Sequence, residues 1–126
     1  MLENFRGFSV NDPFGRKWDV ELRWYQNAIS IRHADAIDCK YYISSLDERR
    51  ELVVSLPHPA LLALAGKVAH ELTDAWVIRL AGLHVQHMIT TWEDMDKTIA
   101  VPSTAAMEAY HQALEQAAAE VALTRR

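Results

Sequence analysis

The hydrophobic pattern of the chain changes once, close to Pro57. Between Lys17 and Leu56 apolar and polar side chains alternate, and a period of two is typical of strands with one buried face. Beyond Pro57 the apolar residues recur at the spacing of amphipathic helices. The two patterns predict an α+β fold, in which a four-stranded antiparallel β-meander (about 17–56) is followed by three α-helices packed on one face of the sheet.

The predicted strands are joined by turns that must keep their apolar residues on one face. The inward-facing positions of the four strands are Trp18, Val20, Leu22 and Trp24, then Ile29 and Ile31, then Ile37, Cys39, Tyr41 and Ile43, and finally Leu52, Val54 and Leu56. Residues opposite each other in a hairpin share a face, so each turn is restricted in length. A two-residue turn at Gln26 and Asn27, a turn centred on Ala34 and a longer tip at Ser45–Arg50 satisfy this restriction.

These turns set the expected register and identify a candidate interface. The expected pairs are Trp24 with Ile29, Leu22 with Ile31, Glu21 with Arg32, Ile31 with Ile37, Ile43 with Leu52, and Tyr41 with Val54. On the opposite face Tyr42 is expected to lie across from Val53, with Ala28 and Ala36 on the same side. An apolar patch among charges often marks a partner surface. The alternative is an ordinary cross-strand pair that stabilises the sheet.

Start and stop signals divide the rest of the chain into helices. Pro59 suits the first turn of a helix that is expected to end near Leu72, and Thr73 suits the N-cap of the next helix. The stretch Ala75–Ile89 is apolar on most sides, which predicts a central helix on the inner face of the sheet. Pro102 and Ser103 are expected to begin the third helix.

Two segments, residues 1–15 and residues 98–101, lie outside the predicted strands and helices. The N-terminal arm, residues 1–15, contains apolar residues that fit neither period, and a turn signal at 11–15. We expect this arm to pack across the sheet or a core edge, and the alternative is that it docks on a second subunit. Residues 98–101 are predicted to be a short extended piece. The first and fourth strands each present a free edge unless the arm or this piece covers it.

Composition narrows the classes of protein without selecting one. The chain has 126 residues and a net charge of −4, which predicts one domain spanning 1–126, with a helical part from about 58. Acidic and basic residues are interleaved, so no nucleic-acid partner is expected. Signal-peptide and membrane-span patterns are not recognised, and a reducing cytoplasm is the expected location. The single cysteine, Cys39, is expected to be an inert core thiol.

One constellation has the residue types of a metal or ligand site. His84 and His87 are three residues apart on a predicted helix, and Trp92 with the acidic loop Glu93–Asp96 follows. With Asp94 the two histidines are weak candidates for a divalent-metal site, because an HxxH pair alone does not specify one. The structural alternative is a pair of histidines at a helix seam, hydrogen-bonded to backbone and to carboxylates of the loop.

No motif assigns catalytic residues or a cofactor. The serines lack the Gly-x-Ser-x-Gly context, and four glycines do not form a phosphate-binding loop. The leading hypothesis is a small cytoplasmic binding or scaffold module that acts through a protein surface as a homodimer, or binds another protein, with Tyr42 and Val53 as interface candidates. The alternative is a small-molecule- or metal-binding protein, an enzyme included, that uses the His84/His87 helix and the Glu93–Asp96 loop.

Overall fold

The computed structural model of the chain describes residues 2, 4–28 and 35–124, and in these residues five strands and three helices are present. The strands are β1 (Gly7–Asn11), β2 (Lys17–Ala28), β3 (Ala36–Ser45), β4 (Glu48–Pro57) and β5 (Ile99–Ala100), and the helices are α1 (His58–Val68), α2 (Asp74–Thr91) and α3 (Thr104–Thr124). The strands are ordered β1-β2-β3-β4-β5, with β1–β4 antiparallel and β5 parallel to β4. The predicted α+β class, with an antiparallel meander and three helices, is confirmed. The extended piece expected at 98–101 is present as β5 and pairs with the edge of β4.

The first strand of the meander comes from the predicted N-terminal arm. β1 pairs antiparallel with β2, and Val10 lies opposite Trp18. The arm therefore contributes backbone hydrogen bonds to the edge of the sheet, whereas we expected it to pack across the sheet or over a core edge. The meander accordingly spans residues 7–57.

The turn between β1 and β2 is organised by the buried carboxylate of Asp12. This carboxylate accepts hydrogen bonds from the backbone amides of Phe14 (2.8 Å) and Arg16 (2.9 Å) and from the indole nitrogen of Trp18 (3.0 Å). Burial by itself would raise the pKa of Asp12, but the bonds from Trp18, Arg16 and Phe14 lower this pKa to about 2. Asp12 is therefore charged at neutral pH and holds the turn against the first core tryptophan.

β2 does not turn where a turn was predicted. Gln26 and Asn27 continue the strand and pair with Asp38 and Ile37 of β3, so the predicted turn at these two residues was wrong. Asparagine tolerates a turn conformation without requiring it, and β3 supplies pairing partners for β2 from Asp19 to Ala28, except at Arg23. The predicted second strand, the turn after it and their pairs rest on residues outside the described ones, namely Ile29, Ile31, Arg32 and Ala34.

A register shift in β2 reverses the face of one tryptophan. The pairing with β3 shifts by one residue between Leu22 and Trp24, as in a β-bulge. A shift of one residue reverses the faces of the following side chains. Trp24 consequently lies on the outer face, where the sequence pattern placed it inside, and Tyr25 packs against the core instead.

β3 and β4 are joined by a shorter turn than predicted. Ser45 pairs with Glu48, so the turn contains only Leu46 and Asp47. The predicted β3–β4 pairs are therefore displaced by two positions, with Ile43 opposite Arg50 rather than Leu52, and Tyr41 opposite Leu52 rather than Val54. Because the displacement is even, each of these residues still faces the predicted side.

The helices cover the inner face of the sheet. α1 ends at Val68, earlier than the expected Leu72, because Ala69 adopts a left-handed conformation (φ 53°). Thr73 caps α2 as predicted, since its hydroxyl accepts a bond of 3.2 Å from the amide of Trp76. The fully buried core includes Trp18, Tyr41, Ile43, Leu52 and Leu56 from the sheet and Leu61, Leu80, Met88, Ile89 and Met107 from the helices.

Two further predictions concern single features. Cys39 is buried on the inner face, and burial, followed by the nearby Asp38, raises the pKa of its thiol to about 12. The thiol is therefore protonated at neutral pH. Across the described part of the chain, none of the helices combines the length and the hydropathy that crossing a membrane requires.

Candidate functional site

The outer face, the side of the sheet away from the helices, carries an apolar row across four strands. Trp24 on β2, Lys40 on β3, Val53 on β4 and Ile99 on β5 are paired in succession, and we call the three uncharged residues, Trp24, Val53 and Ile99, the apolar row. Trp24 is 38% exposed and Ile99 is 58% exposed. The ammonium of Lys40 lies 5.7 Å from the ring centre of Trp24 and 3.0 Å from Oε2 of Glu51, so a charged pair stands between the tryptophan and the aliphatic residues.

Tyr42 lies beside this row and is 41% exposed. The guanidinium carbon of Arg23 lies 4.9 Å from the ring centre of Tyr42, and the ammonium of Lys40 lies 5.8 Å from it. Tyr42 and Val53 share the outer face, but they do not lie across from each other. Tyr42 is opposite Glu51 and Val53 is opposite Lys40, so the predicted pair is corrected to a diagonal one by the shorter β3–β4 turn.

Charges of both signs surround the apolar row. The register places four basic and four acidic residues of β2, β3 and β4 on the outer face, namely Lys17, Arg23, Lys40 and Arg49, and Asp19, Glu21, Asp38 and Glu51. The face is therefore electrically balanced, whereas the whole chain carries −4. Between Tyr42 and Arg49 the face contains an open depression of about 500 Å³.

The second candidate region is a cavity of about 200 Å³ between α2, the loop after α2 and the start of α3. We call it the histidine cavity. Its polar lining comes from all three segments and consists of His84, His87, Glu93, Asp94, Ser103 and Tyr110. Its apolar lining consists of Met88, Val101, Pro102 and Ala106. Convergence of a few polar groups on a partly apolar cavity between helices is a common feature of ligand sites.

His84 and Tyr110 form a hydrogen-bonded pair in this cavity. The Nδ1 atom of His84 lies 2.8 Å from the hydroxyl oxygen of Tyr110, and His84 is only 7% exposed. Burial, and then His87, lower the pKa of His84 to about 4, although Asp94 and Glu93 oppose the shift. Burial and Glu93 raise the pKa of Tyr110 to about 12. At neutral pH His84 is therefore uncharged and Tyr110 is protonated, and the two side chains share one hydrogen bond.

His87 is oriented by a carboxylate from the loop. Its Nε2 atom lies 2.9 Å from Oε2 of Glu93, and because an ionised carboxylate only accepts, Nε2 carries the proton. The rings of His84 and His87 are close to parallel, with centres 6.3 Å apart. Asp94 instead pairs with Lys97 at 3.3 Å.

The three metal candidates are brought to one cavity, but each has a different partner. His84 binds Tyr110, His87 binds Glu93, and Asp94 pairs with Lys97. Within residues 4–28 and 35–124 no three histidine, cysteine, aspartate or glutamate side chains are grouped as metal ligands would be. The arrangement of His87 and Glu93 corresponds to the structural alternative derived from the sequence.

The loop that supplies Glu93 and Asp94 is held against the sheet by contacts on both sides of these two residues. Trp92, which has a positive φ of 60°, packs on Trp18 with ring centres 5.9 Å apart. Met95 is buried, and its carbonyl accepts a hydrogen bond from the guanidinium of Arg50. These contacts hold the two carboxylates beside α2, and a preorganised loop reduces the entropic cost of binding a ligand.

Sequence reasoning did not connect Ser103 and Tyr110 with the histidines. Tyr110 lies 26 residues after His84, and nothing in the local pattern around either residue points to a hydrogen bond between them. The available signal was a tyrosine on an apolar helix face, since a buried hydroxyl requires a hydrogen-bond partner.

Three other rings form a packed group at the opposite end of α2, which we call the Trp76 cluster (His70, Trp76 and His111). The indole nitrogen of Trp76 donates to Nδ1 of His111 at 3.1 Å, and both residues are buried. His70 stacks on Trp76, with ring centres 4.8 Å apart. The acceptor role of His111 Nδ1 requires this nitrogen to be unprotonated.

Comparison of the chain with protein-family models, with curated proteins and with solved structures finds no match.

Proposed function

We propose that this protein is a binding module that works through the outer face of its sheet, and that its partner on this face is a second copy of the same chain. The observation that carries the proposal is the apolar row with Tyr42 beside it. Trp24, Tyr42 and Ile99 remain exposed, and Val53 remains half-buried, on a face that the helices do not cover.

The composition of this face resembles that of an interface centre. Tryptophan, tyrosine and arginine are enriched at protein interfaces and dominate their binding energy. Here Trp24, Tyr42 and Arg23 lie on neighbouring positions of β2 and β3, and the arginine already stacks on the tyrosine. The depression beside Tyr42 can accommodate a protruding side chain of the partner.

The balance of charges supports a second copy as the partner. A two-fold interface brings the same patch together with itself, so the patch must be complementary to itself. A face of one sign would repel its own copy, whereas four acidic and four basic residues can be opposed in matching pairs. The excess acidic charge of the chain lies elsewhere.

The face is a better docking surface than the edges of the sheet. On one side β5 covers the edge of β4 and itself contains only two residues. On the other side β1 has five residues and is followed by the Asp12 turn. Short edge strands limit pairing by strand addition.

The size of the face predicts a weak complex. Five strands about 4.8 Å apart, with about seven residues each at a rise of about 3.3 Å per residue, give a face of roughly 24 by 23 Å, or about 550 Å² in projection. A standard interface buries about 800 Å² on each partner. We therefore expect a dimer that dissociates on dilution, with a Kd of about 10–100 µM.

Sedimentation velocity over a range from about 1 µM to about 500 µM tests the proposal. The wild type is expected to shift from monomer to dimer, and Trp24→Ser and Tyr42→Ser are each expected to weaken the dimer about tenfold, as loss of an interface anchor does. Leu62→Ser is the matched control, because Leu62 is 52% exposed on α1, away from the sheet face. A wild type that stays monomeric throughout, or a control as damaging as the two variants, would overturn the proposal.

A further inference from the structure

We infer that the histidine cavity is a binding site for a small organic cation, a ligand with one ammonium or amidinium group on a compact apolar body. The inference rests on the cavity and its lining and is independent of the outer face. Glu93 and Asp94 converge with Tyr110 and two histidines on one side, and an apolar wall forms the other.

The sign of the ligand charge follows from the lining. Its described residues include two carboxylates and neither lysine nor arginine. His84 is uncharged at neutral pH, since its pKa is about 4, and Tyr110 is protonated. Lys97, which pairs with Asp94 outside the lining, offsets one carboxylate in part. A cation is therefore attracted and an anion repelled.

The start of α3 does not reverse this preference. Ser103 caps the helix, and its hydroxyl oxygen accepts a bond of 3.0 Å from the amide of Ala106. A helix N-terminus corresponds to about half a positive charge, which is less than the charge of the two carboxylates together. The field in the cavity therefore remains negative.

The volume limits the size of the ligand. A cavity of about 150 Å³ is enough to hold benzene. The space of about 200 Å³ here therefore suits a single ring with a short cationic arm. Met88 and Ala106 offer contact for the ring, and the carboxylates offer acceptors for the arm.

The lining also has acceptors to match several donors of an ammonium group. Glu93 uses one oxygen for His87, which leaves its other oxygen as an acceptor. The oxygen of Asp94 that does not pair with Lys97 and a lone pair of the Tyr110 hydroxyl oxygen are further acceptors. A primary ammonium, with three donors, is accordingly better matched to the lining than a neutral alcohol of the same shape.

Three single-ring probes of similar size test the inference on the full chain: benzylammonium, benzyl alcohol and benzoate. Amide and ring-proton NMR shifts are followed for His84, His87, Ser103 and Ala106 during each titration. Benzylammonium is expected to bind with a Kd of about 1 mM, an affinity ordinary for a ligand of about eight non-hydrogen atoms. Benzyl alcohol is expected to bind at least about tenfold more weakly, and benzoate more weakly still, because both lack the attraction to the carboxylates.

Two conservative variants and one control locate the site. Glu93→Gln and Asp94→Asn each remove one charge, and asparagine suits the positive φ of 60° at position 94. Each is expected to weaken benzylammonium binding by about fivefold to tenfold, whereas Glu71→Gln, exposed at the other end of α2, is expected to have no effect. The inference is wrong if the cavity signals do not move with benzylammonium, if benzoate or benzyl alcohol binds equally well, or if Glu71→Gln weakens binding as much as the cavity variants.

Discussion

Helices α2 and α3 contact each other through two hydrogen-bonded pairs that look alike and serve different purposes. His84 of α2 bonds to Tyr110 of α3 at 2.8 Å, and Trp76 of α2 bonds to His111 of α3 at 3.1 Å. Tyr110 and His111 are adjacent in the chain. The first pair borders the histidine cavity, and the second is enclosed by the stacked ring of His70.

The difference shows that the surroundings decide the role of a buried histidine. At the cavity end the Glu93–Asp96 loop stands beside α2 and adds carboxylates to the lining. At the other end ring packs on ring, and the imidazole serves as an acceptor for the indole. We therefore expect substitutions in the Trp76 cluster to lower the free energy of unfolding strongly. Substitutions of the cavity carboxylates should change it little but should weaken ligand binding.

The largest expected effect is on the Trp76 cluster. Trp76→Ala removes a large buried ring and leaves Nδ1 of His111 without its donor, which should lower the free energy of unfolding by about 4 kcal/mol. Trp24→Ala on the outer face is the control of the same residue type, and it should cost about 1 kcal/mol or less because Trp24 is partly exposed. Urea unfolding of the three proteins gives the comparison. Equal losses in the two variants would contradict the packed role of the cluster.

The second expected effect is a loss of stability at low pH that depends on His84. The pKa of His84 is about 4 in the folded protein, below its ordinary 6.5, because of burial and then His87, with Asp94 and Glu93 opposing. As pH falls, His84 is therefore protonated in the unfolded chain before it is protonated in the folded protein. Its contribution to stability is fully present above about pH 6.5 and is lost as pH falls towards 4. The loss attributable to His84 is at most about 3 kcal/mol.

Urea unfolding at several pH values measures this loss. His84→Asn keeps an acceptor near the position of Nδ1 for Tyr110 but does not titrate, so its stability should fall less steeply between pH 6.5 and 4 than that of the wild type. Other carboxyl groups titrate in both proteins, and the difference between the two curves isolates His84. Parallel curves would show that His84 is already charged, or freely chargeable, in the folded protein.

The smallest expected effect is that of Glu93→Gln on the free energy of unfolding. The pair of His87 and Glu93 is partly exposed, so Glu93→Gln should change the free energy of unfolding by no more than about 0.5 kcal/mol. The same variant is expected to lose most of its affinity for benzylammonium. A thermal or urea unfolding curve displaced by several times this amount would assign Glu93 to stability instead of binding.

The pattern of the sequence was sufficient to predict the fold class and most of the helix boundaries. Period-two alternation predicted a sheet with one apolar face, and Thr73 marked the start of α2. The parity of β3 and β4 was also correct, so Tyr42 and Val53 were placed on the outer face. Their pairing was wrong, because parity does not distinguish registers that differ by two residues.

The sequence by itself therefore determined which residues alternate, where helices begin, and which candidate residues exist, since these depend on neighbours in the chain. Only the tertiary structure decided the bulge that turns Trp24 outward, the use of residues 7–11 as an edge strand, and the partners of His84 and His87. The physical reason is the same in each case. Strand pairing and side-chain hydrogen bonds depend on groups that are distant in the chain, and their geometry is fixed only when the helices pack on the sheet.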